Sequence, residues 1–253
     1  MALLTLDGLT KSFGGLTAVK NLTFGVDAGA IVSLIGPNGA GKSTVFNLVT
    51  GIYRPTSGAV VFDGRDISGQ KPNAVAEAGI MRTFQNIRLF AYMTVLENVM
   101  VGRHTRMHAK PWDDALHSRY ERNEEKACKQ RAMELLEWFG IARYATDWAR
   151  NLPYGMQRRL EIARALVSEP KLLLLDEPAA GTNPAEKIDL MKLVQAIRDR
   201  GVTVLLIEHD MKLVMGISDY VHVLDYGEEI AHGKPDEVRH DQRVIEAYLG
   251  KGA

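Results

Sequence analysis

The chain has 253 residues, enough for a full core, and its 46% hydrophobic and 25% charged content is ordinary for a globular fold. Lys plus Arg equals Asp plus Glu at 31 each, so no basic excess recommends a nucleic acid partner and no acidic excess suggests a solvated tail. The single Cys128 excludes an internal disulfide and a cysteine-based zinc site, and no apolar run approaches the ~20 residues of a membrane span.

The opening MALLTLDG lacks the basic segment and longer apolar core of a secretory leader; if the protein works at a membrane, other chains are expected to supply the spans. The first third reads as short strands punctuated by Gly: ALLTLDGL, LTFGV and AIVSLI, the last ending at Gly36. STVFNLVTG then places Val45, Leu48 and Val49 at helical spacing and stops at Gly51. GAVVFDG returns to strand, PNAVAEAG is a short helix opened by Pro72, and GIMRTF is strand again. From Gln85 the texture turns helical through TVLENVMVG, the charged SRYERNEEKACKQRAMELLEWFG and LPYGMQRRLEIARALV. Residues 103–117 show no clear period and are expected to be a loop, and the 118–139 charge run a solvated helix face.

In the third of these helices Met156, Leu160, Ala163 and Val167 predict one buried stripe. Its start is unusual: Pro153, Tyr154 and Gly155 stand where a Ser, Thr, Asp or Asn cap is common, with Arg158 and Arg159 just inside. The free amides and positive dipole end of an exposed helix start can receive an anion. Beyond it KLLLLDE and TVLLIEH are strands that alternate with helices at 184–200 and MKLVMGI, the pattern of a parallel sheet. YVHVLDYGEEIAHG reads as a hairpin and DQRVIEAYLG as a last helix.

GPNGAGKST at 36–44 satisfies G-x-x-x-x-G-K-[ST] between an apolar strand and a helix, the context a phosphate-binding loop requires. In the loop of Gly36, Pro37, Asn38, Gly39, Ala40 and Gly41 the glycines let successive amides turn inward around a polyphosphate; Lys42 brings charge to the outer phosphates, and the Ser43 hydroxyl, with Thr44 beside it, offers a ligand to Mg²⁺. LLLLDEP then ends an apolar strand in Asp176, placed to hold the metal, and in Glu177, a second carboxylate able to take a proton from an attacking water. Pro178 predicts an extended backbone at Glu177. His209 and Gln85 end two further strands; His209 could donate to a terminal phosphate or orient water, and Gln85 could touch Mg²⁺ or water.

In this order the P-loop, LPYGMQRRLEIARAL, DEP and the strand-end His resemble the nucleotide-binding subunit of ABC transporters over nearly the whole chain. GLTAVKNL, RTFQNIRLF, DEPAAGTNP, IEHDMKLVMGISD and AYLG are similar to the LivG-type ATPase subunits of branched-chain amino-acid importers. The resemblance implies an α/β fold: a P-loop NTPase core with a mostly parallel sheet and an N-terminal antiparallel β subdomain at 1–86 and 166–253, and an inserted α-helical subdomain at 87–165. It implies that Phe13 stacks on adenine with Val19 in contact, that Gln85 is the Q-loop, 152–156 the signature, Gly181 to Asn183 the D-loop and His209 the switch histidine. It further implies ATP and Mg²⁺, and a second ATPase subunit whose nucleotide meets Tyr154, Gly155 and Met156. Two transmembrane permease subunits, which Ile87, Leu89, Phe90, Tyr92 and Met93 could meet, a periplasmic binding protein acting indirectly, and a place on the cytoplasmic face of the inner membrane complete what it implies. Pro153, Tyr154 and Met156 depart from the common LSGGQ, removing two polar side chains from the signature. Other ABC systems (urea, amide, lipopolysaccharide), a soluble ABC-type ATPase and a small-molecule kinase are the alternatives. The kinase leaves the signature helix and Glu177 without a role, and the soluble ATPase would bring a long coiled-coil insertion, a second cassette or a basic surface.

Overall fold

The computed structural model describes residues 2–104 and 119–249. Most of the expected loop at 103–117 therefore lies outside the described residues. The chain divides into two compact units: residues 1–85 with 171–253, and residues 86–170.

In the first unit, β1 (Ala2–Phe13) and β2 (Leu16–Asp27) are each 12 residues long and pair antiparallel, where the sequence suggested shorter pieces. Register shifts between Leu6 and Ser12 let the two strands run past the Gly interruptions instead of ending there. With β4 (Ser57–Phe62) and β5 (Arg65–Asp66) they form a four-stranded antiparallel sheet. The second sheet has the order β10-β9-β3-β8-β7-β6. Its strands β3 (Ile31–Ile35), β6 (Ile80–Arg82), β7 (Leu172–Asp176), β8 (Thr203–Ile207) and β9 (Tyr220–Asp225) are parallel, and β10 (Glu228–Gly233) pairs antiparallel with β9 as the expected hairpin. β3, β7 and β8 are buried at every position, which explains their unbroken apolar runs. Leu4, Phe24 and Phe62 from one sheet and Val32, Leu172 and Leu205 from the other share a single core with Phe46 of α1 (Lys42–Val49). α2 (Pro72–Ala78) follows the Pro-first, Gly-last pattern read from the sequence, with Gly79 in the left-handed region at φ 110°.

The second unit holds α3 (Val95–Gly102), α4 (Arg119–Trp138) and α5 (Tyr154–Leu166). α3 opens on a capping box between Thr94 and Glu97. α5 differs from the single-stripe expectation: Arg158, Leu160, Glu161, Ile162, Ala163, Ala165 and Leu166 are all buried. The polar turn is buried because Arg158 pairs with Glu161 at 2.8 Å, so neither charge stands unpaired in the core. α6 (Pro184–Asp199), α7 (Met211–Ile217), α8 (Pro235–Arg239) and α9 (Gln242–Leu249) return to the first unit. No helix among the described residues is long and apolar enough to cross a membrane.

Candidate nucleotide site

The parallel register brings the carboxyl ends of β3, β7 and β8 to one edge: Leu34 lies beside Ile207, and Ile207 beside Asp176. That edge is where open α/β sheets bind ligands. The P-loop leaves β3 there. Gly36, Gly39 and Gly41 have φ of 148°, 84° and 103°, backbone that side chains rarely adopt. At Gly41 a Cβ would also come within 2.4 Å of the Ala18 carbonyl oxygen, so the third glycine is demanded by packing against β2 as well as by its φ.

Lys42 is buried, and its Nζ donates to the carbonyls of Gly36 at 2.7 Å and Pro37 at 2.9 Å. Burial pushes the ammonium pKa down, while the nearby Glu177 and Asp176 carboxylates push it up. This coupling places the lysine and both strand-end acids in one electrostatic neighbourhood. Ser43 is exposed and Thr44 half-buried in the first turn of α1, which has no side-chain cap.

Asp176 is buried and accepts a hydrogen bond from Arg82 Nη2 at 2.8 Å; Arg82 Nη1 in turn donates to Asn47 of α1 at 2.6 Å. Arg82 thereby joins β6, β7 and the helix after the P-loop. Nothing in its sequence context marks it, since only the adjacency of β6 and β7 puts it beside Asp176. Glu177 overturns the extended-backbone expectation: its φ is +45°, left-handed, despite Pro178. Such a residue costs on the order of 1–3 kcal/mol and persists only where its surroundings hold it. Its amide donates to the Ile207 carbonyl at 2.9 Å, and its own carbonyl accepts from Ala180 at 3.1 Å. Glu208, also missed in the sequence, is 1% exposed; its carboxylate accepts the Ala179 amide at 2.8 Å and the His209 amide at 3.1 Å. The turn after β7 is therefore tied to the end of β8 by a buried acid that spacing alone could not distinguish from its exposed neighbour.

The Glu177 side chain, about one-fifth exposed, accepts from Gln85 Nε2 at 2.8 Å and lies 3.7 Å from His209 Nδ1. Gln85, Glu177 and His209 are thus brought together from three strand ends. In the turn that follows, Gly181 has φ 75°, and Asn183 caps α6 through a capping box with Glu186. Phe13 is 42% exposed, edge-on to Tyr53 at 5.2 Å with Lys11 over its ring. Val19 is fully buried and packs in the core shared by the two sheets.

In the second unit α5 starts at Pro153, whose carbonyl accepts the amides of Met156 and Gln157 at 2.9 and 3.0 Å, with no side-chain cap. Tyr154 is exposed, Gly155 and Met156 half-buried. Arg158 is turned inward to Glu161, and Arg159 donates to the Phe139 carbonyl at 3.0 Å. Just before α3, Phe90, Tyr92 and Met93 are exposed, whereas Ile87 and Leu89 are half-buried. Asn98, itself fully buried, holds this segment by bonding the Phe90 amide and the Phe90 and Thr94 carbonyls.

A P-loop with a buried lysine, two carboxylates at one parallel-sheet edge and a separate helical unit define a nucleotide-binding ATPase cassette. Residues 19–180 match the ABC transporter family, and residues 228–253 match a family described as branched-chain amino acid ATP-binding cassette transporter. The high-affinity branched-chain amino acid transport ATP-binding protein LivG of Salmonella typhimurium is 47% identical, covering 98% of both chains. The corresponding protein BraF of Pseudomonas aeruginosa is 46% identical with the same coverage. The ADP conformation of MJ1267, an ATP-binding cassette of an ABC transporter, superposes with a TM-score of 0.87 at 32% identity, covering 99% of this chain and 100% of that one. The chain belongs to the ABC transporter family, as an ATP-hydrolysing cassette that binds nucleotide.

Proposed function

We propose that this chain is the motor subunit of an importer for branched-chain amino acids, working as one of a pair of ATPase subunits on the cytoplasmic face of the membrane beside two permease chains, with a periplasmic binding protein delivering cargo. The observation that carries this reading is the 47% identity to LivG running through 98% of both chains, site included. In it, ATP phosphates replace the Gly36 and Pro37 carbonyls as partners of Lys42, and backbone amides of the glycine-rich loop, Pro37 having none to give, hold the β-phosphate. The donor set suits Mg²⁺: an exposed Ser43 hydroxyl in the first turn of α1 and the Asp176 carboxylate, with Gln85 nearby, are hard oxygen ligands. Mg²⁺ bound there would draw charge from the outer phosphates.

Glu177 takes the proton of the attacking water, and its strained backbone, held by Ile207 and Glu208 through the following turn, aims the carboxylate. Gln85 and His209, both at Glu177, position that water and the terminal phosphate. Phe13 stacks on the adenine. The start of α5 meets the nucleotide of the partner subunit with Tyr154, Gly155 and Met156, and the exposed Phe90, Tyr92 and Met93 receive a permease helix. Because neither Pro153 nor Met156 supplies a hydrogen bond to phosphate, closure at this signature is weaker than with a Ser and a Gln.

The test has two arms. Deleting the gene should abolish high-affinity leucine uptake in whole cells, and the wild-type gene but not a Glu177→Gln copy should restore it. Unchanged leucine uptake after deletion, with another solute lost instead, would sink the cargo and leave the ATPase standing.

A further inference from the structure

The β9–β10 hairpin carries a cluster that the ATPase reading does not use. His222 and His232 are directly opposed across the antiparallel pair. Glu229 stands three residues before His232, an odd spacing that would put the two on opposite faces of a regular strand. The register shift between Glu229 and Ala231 inserts Ile230 as an extra residue and restores the alignment. Glu229 now opposes Leu224, which shares a face with His222, so both histidines and the carboxylate share one face.

Each of the three offers a ligand atom within 4.8 Å of the others, the one such group among the described residues. His222 Nδ1 is 2.5 Å from Glu229 Oε1, and His232 Nδ1 is 3.3 Å from Glu229 Oε2. Ligands on a tetrahedral zinc with bonds of about 2.0–2.1 Å lie roughly 3.3 Å apart, so the second spacing already suits an ion and the first needs to open by about 1 Å when a metal replaces the direct contact. The cluster is built rather than scattered. His222 is 4% exposed, stacked on Phe24 at 4.3 Å, and its Nε2 is buried with no hydrogen-bond partner. All three residues line a cavity of ≈ 520 Å³ that also has Thr23 and Asp27 in its wall. The His232 side chain is 57% exposed, so solvent reaches the cluster from that side.

We propose that His222, Glu229 and His232 form a binding site for a divalent transition-metal ion of the zinc type, with a coordination position left for water or another small ligand from the cavity. Two imidazoles and one carboxylate select such an ion over Mg²⁺ or Ca²⁺, which prefer all-oxygen shells. The ion would fasten β10 to β9. The turn of that same hairpin holds the P-loop, since the Gly227 amide donates to the Ala40 carbonyl at 3.0 Å.

The experiment uses full-length protein without a polyhistidine tag, stripped of metal by chelator and free of nucleotide. Calorimetric titration with Zn²⁺ should show one equivalent bound per chain. His232→Ala, an exposed position that leaves the core intact, should weaken binding at least tenfold, and so should Glu229→Gln. Co²⁺ should give visible absorption of four- or five-coordinate intensity in the wild type and lose it in both variants. Metal-free melting temperatures matching the wild type would show that the variants are folded. Absence of stoichiometric Zn²⁺ uptake by the wild type overturns the proposal, and so does His232→Ala binding as tightly as wild type, which would place the ion elsewhere, including at Asp176. The nucleotide-free readout keeps either result separate from the fate of the transport reading.

Discussion

α1 and α5 both begin without a side-chain cap, yet they prepare for an anion in different ways. At α1 the chain arrives through glycines in left-handed backbone, and a buried lysine is already bound to the loop's own carbonyls. Cation, amides and dipole are supplied by one continuous segment. At α5 the chain arrives through Pro153 at φ −55° and ψ 149°, which has no amide hydrogen to give. The nearest arginines are engaged within the unit, Arg158 with the buried Glu161 and the Tyr154 hydroxyl and Arg159 with the Phe139 carbonyl. What remains is the helix dipole and its leading amides, which the proposed function assigns to the nucleotide of a second subunit. The difference teaches that a helix start becomes a phosphate site in its own right only when a cation and a permissive backbone accompany it.

Four substitutions would break or sharpen that contrast. The largest effect is expected from Glu177→Gln, which leaves the α1 site intact and removes the proposed base. Phosphate release should fall by about 10²- to 10⁴-fold while ATP still binds, and size-exclusion chromatography with ATP should show a dimer accumulating. Wild-type turnover would show that Glu177 is not the base. Next, Arg158→Met removes the guanidinium that pairs with the buried Glu161 behind the α5 start. Urea denaturation should register a loss of about 3–5 kcal/mol in the helical unit, largely recovered when Glu161→Leu is added. A loss confined to the exposed-pair range would mean that the pair is wetter than its burial indicates.

Lys42→Ala removes the cation that distinguishes α1. Losing about two charge-assisted hydrogen bonds of ~1.5 kcal/mol each should weaken ATP binding on the order of 100-fold in a fluorescent-nucleotide titration. If affinity stays within a few-fold, dipole and amides suffice and the contrast with α5 collapses. The smallest effect belongs to Pro153→Ser, which offers the α5 start the hydroxyl it lacks. Turnover or dimer lifetime should rise about tenfold, the worth of one hydrogen bond to a charged group. A gain in thermal stability alone would mean that Ser caps the helix and touches no phosphate.

The P-loop was legible because its chemistry is local: nine consecutive residues carry the turn, the charge and the hydroxyl. The strand-end acids were legible for a related reason, since an apolar run closed by acidic residues announces a buried strand reaching a sheet edge. Their surroundings were not. Arg82 meets Asp176 only because β6 lies beside β7, and Glu208 reaches Ala179 only because β8 lies on the other flank of β7. At Glu177 the local steric rule for a residue before proline lost to long-range hydrogen bonds, and at α5 the simple stripe lost to a buried ion pair.

Taken by itself, the sequence determined which segments are strand or helix, where a polyphosphate can be cradled, and which acids can serve a metal and a water, because steric preference, side-chain period and charge act between near neighbours. The tertiary structure alone decided which guanidinium holds which carboxylate, which backbone is forced out of its preferred basin, and that an inserted Ile230 turns a glutamate toward two histidines. Those outcomes depend on strand adjacency and register, and these are set by the burial of the whole core.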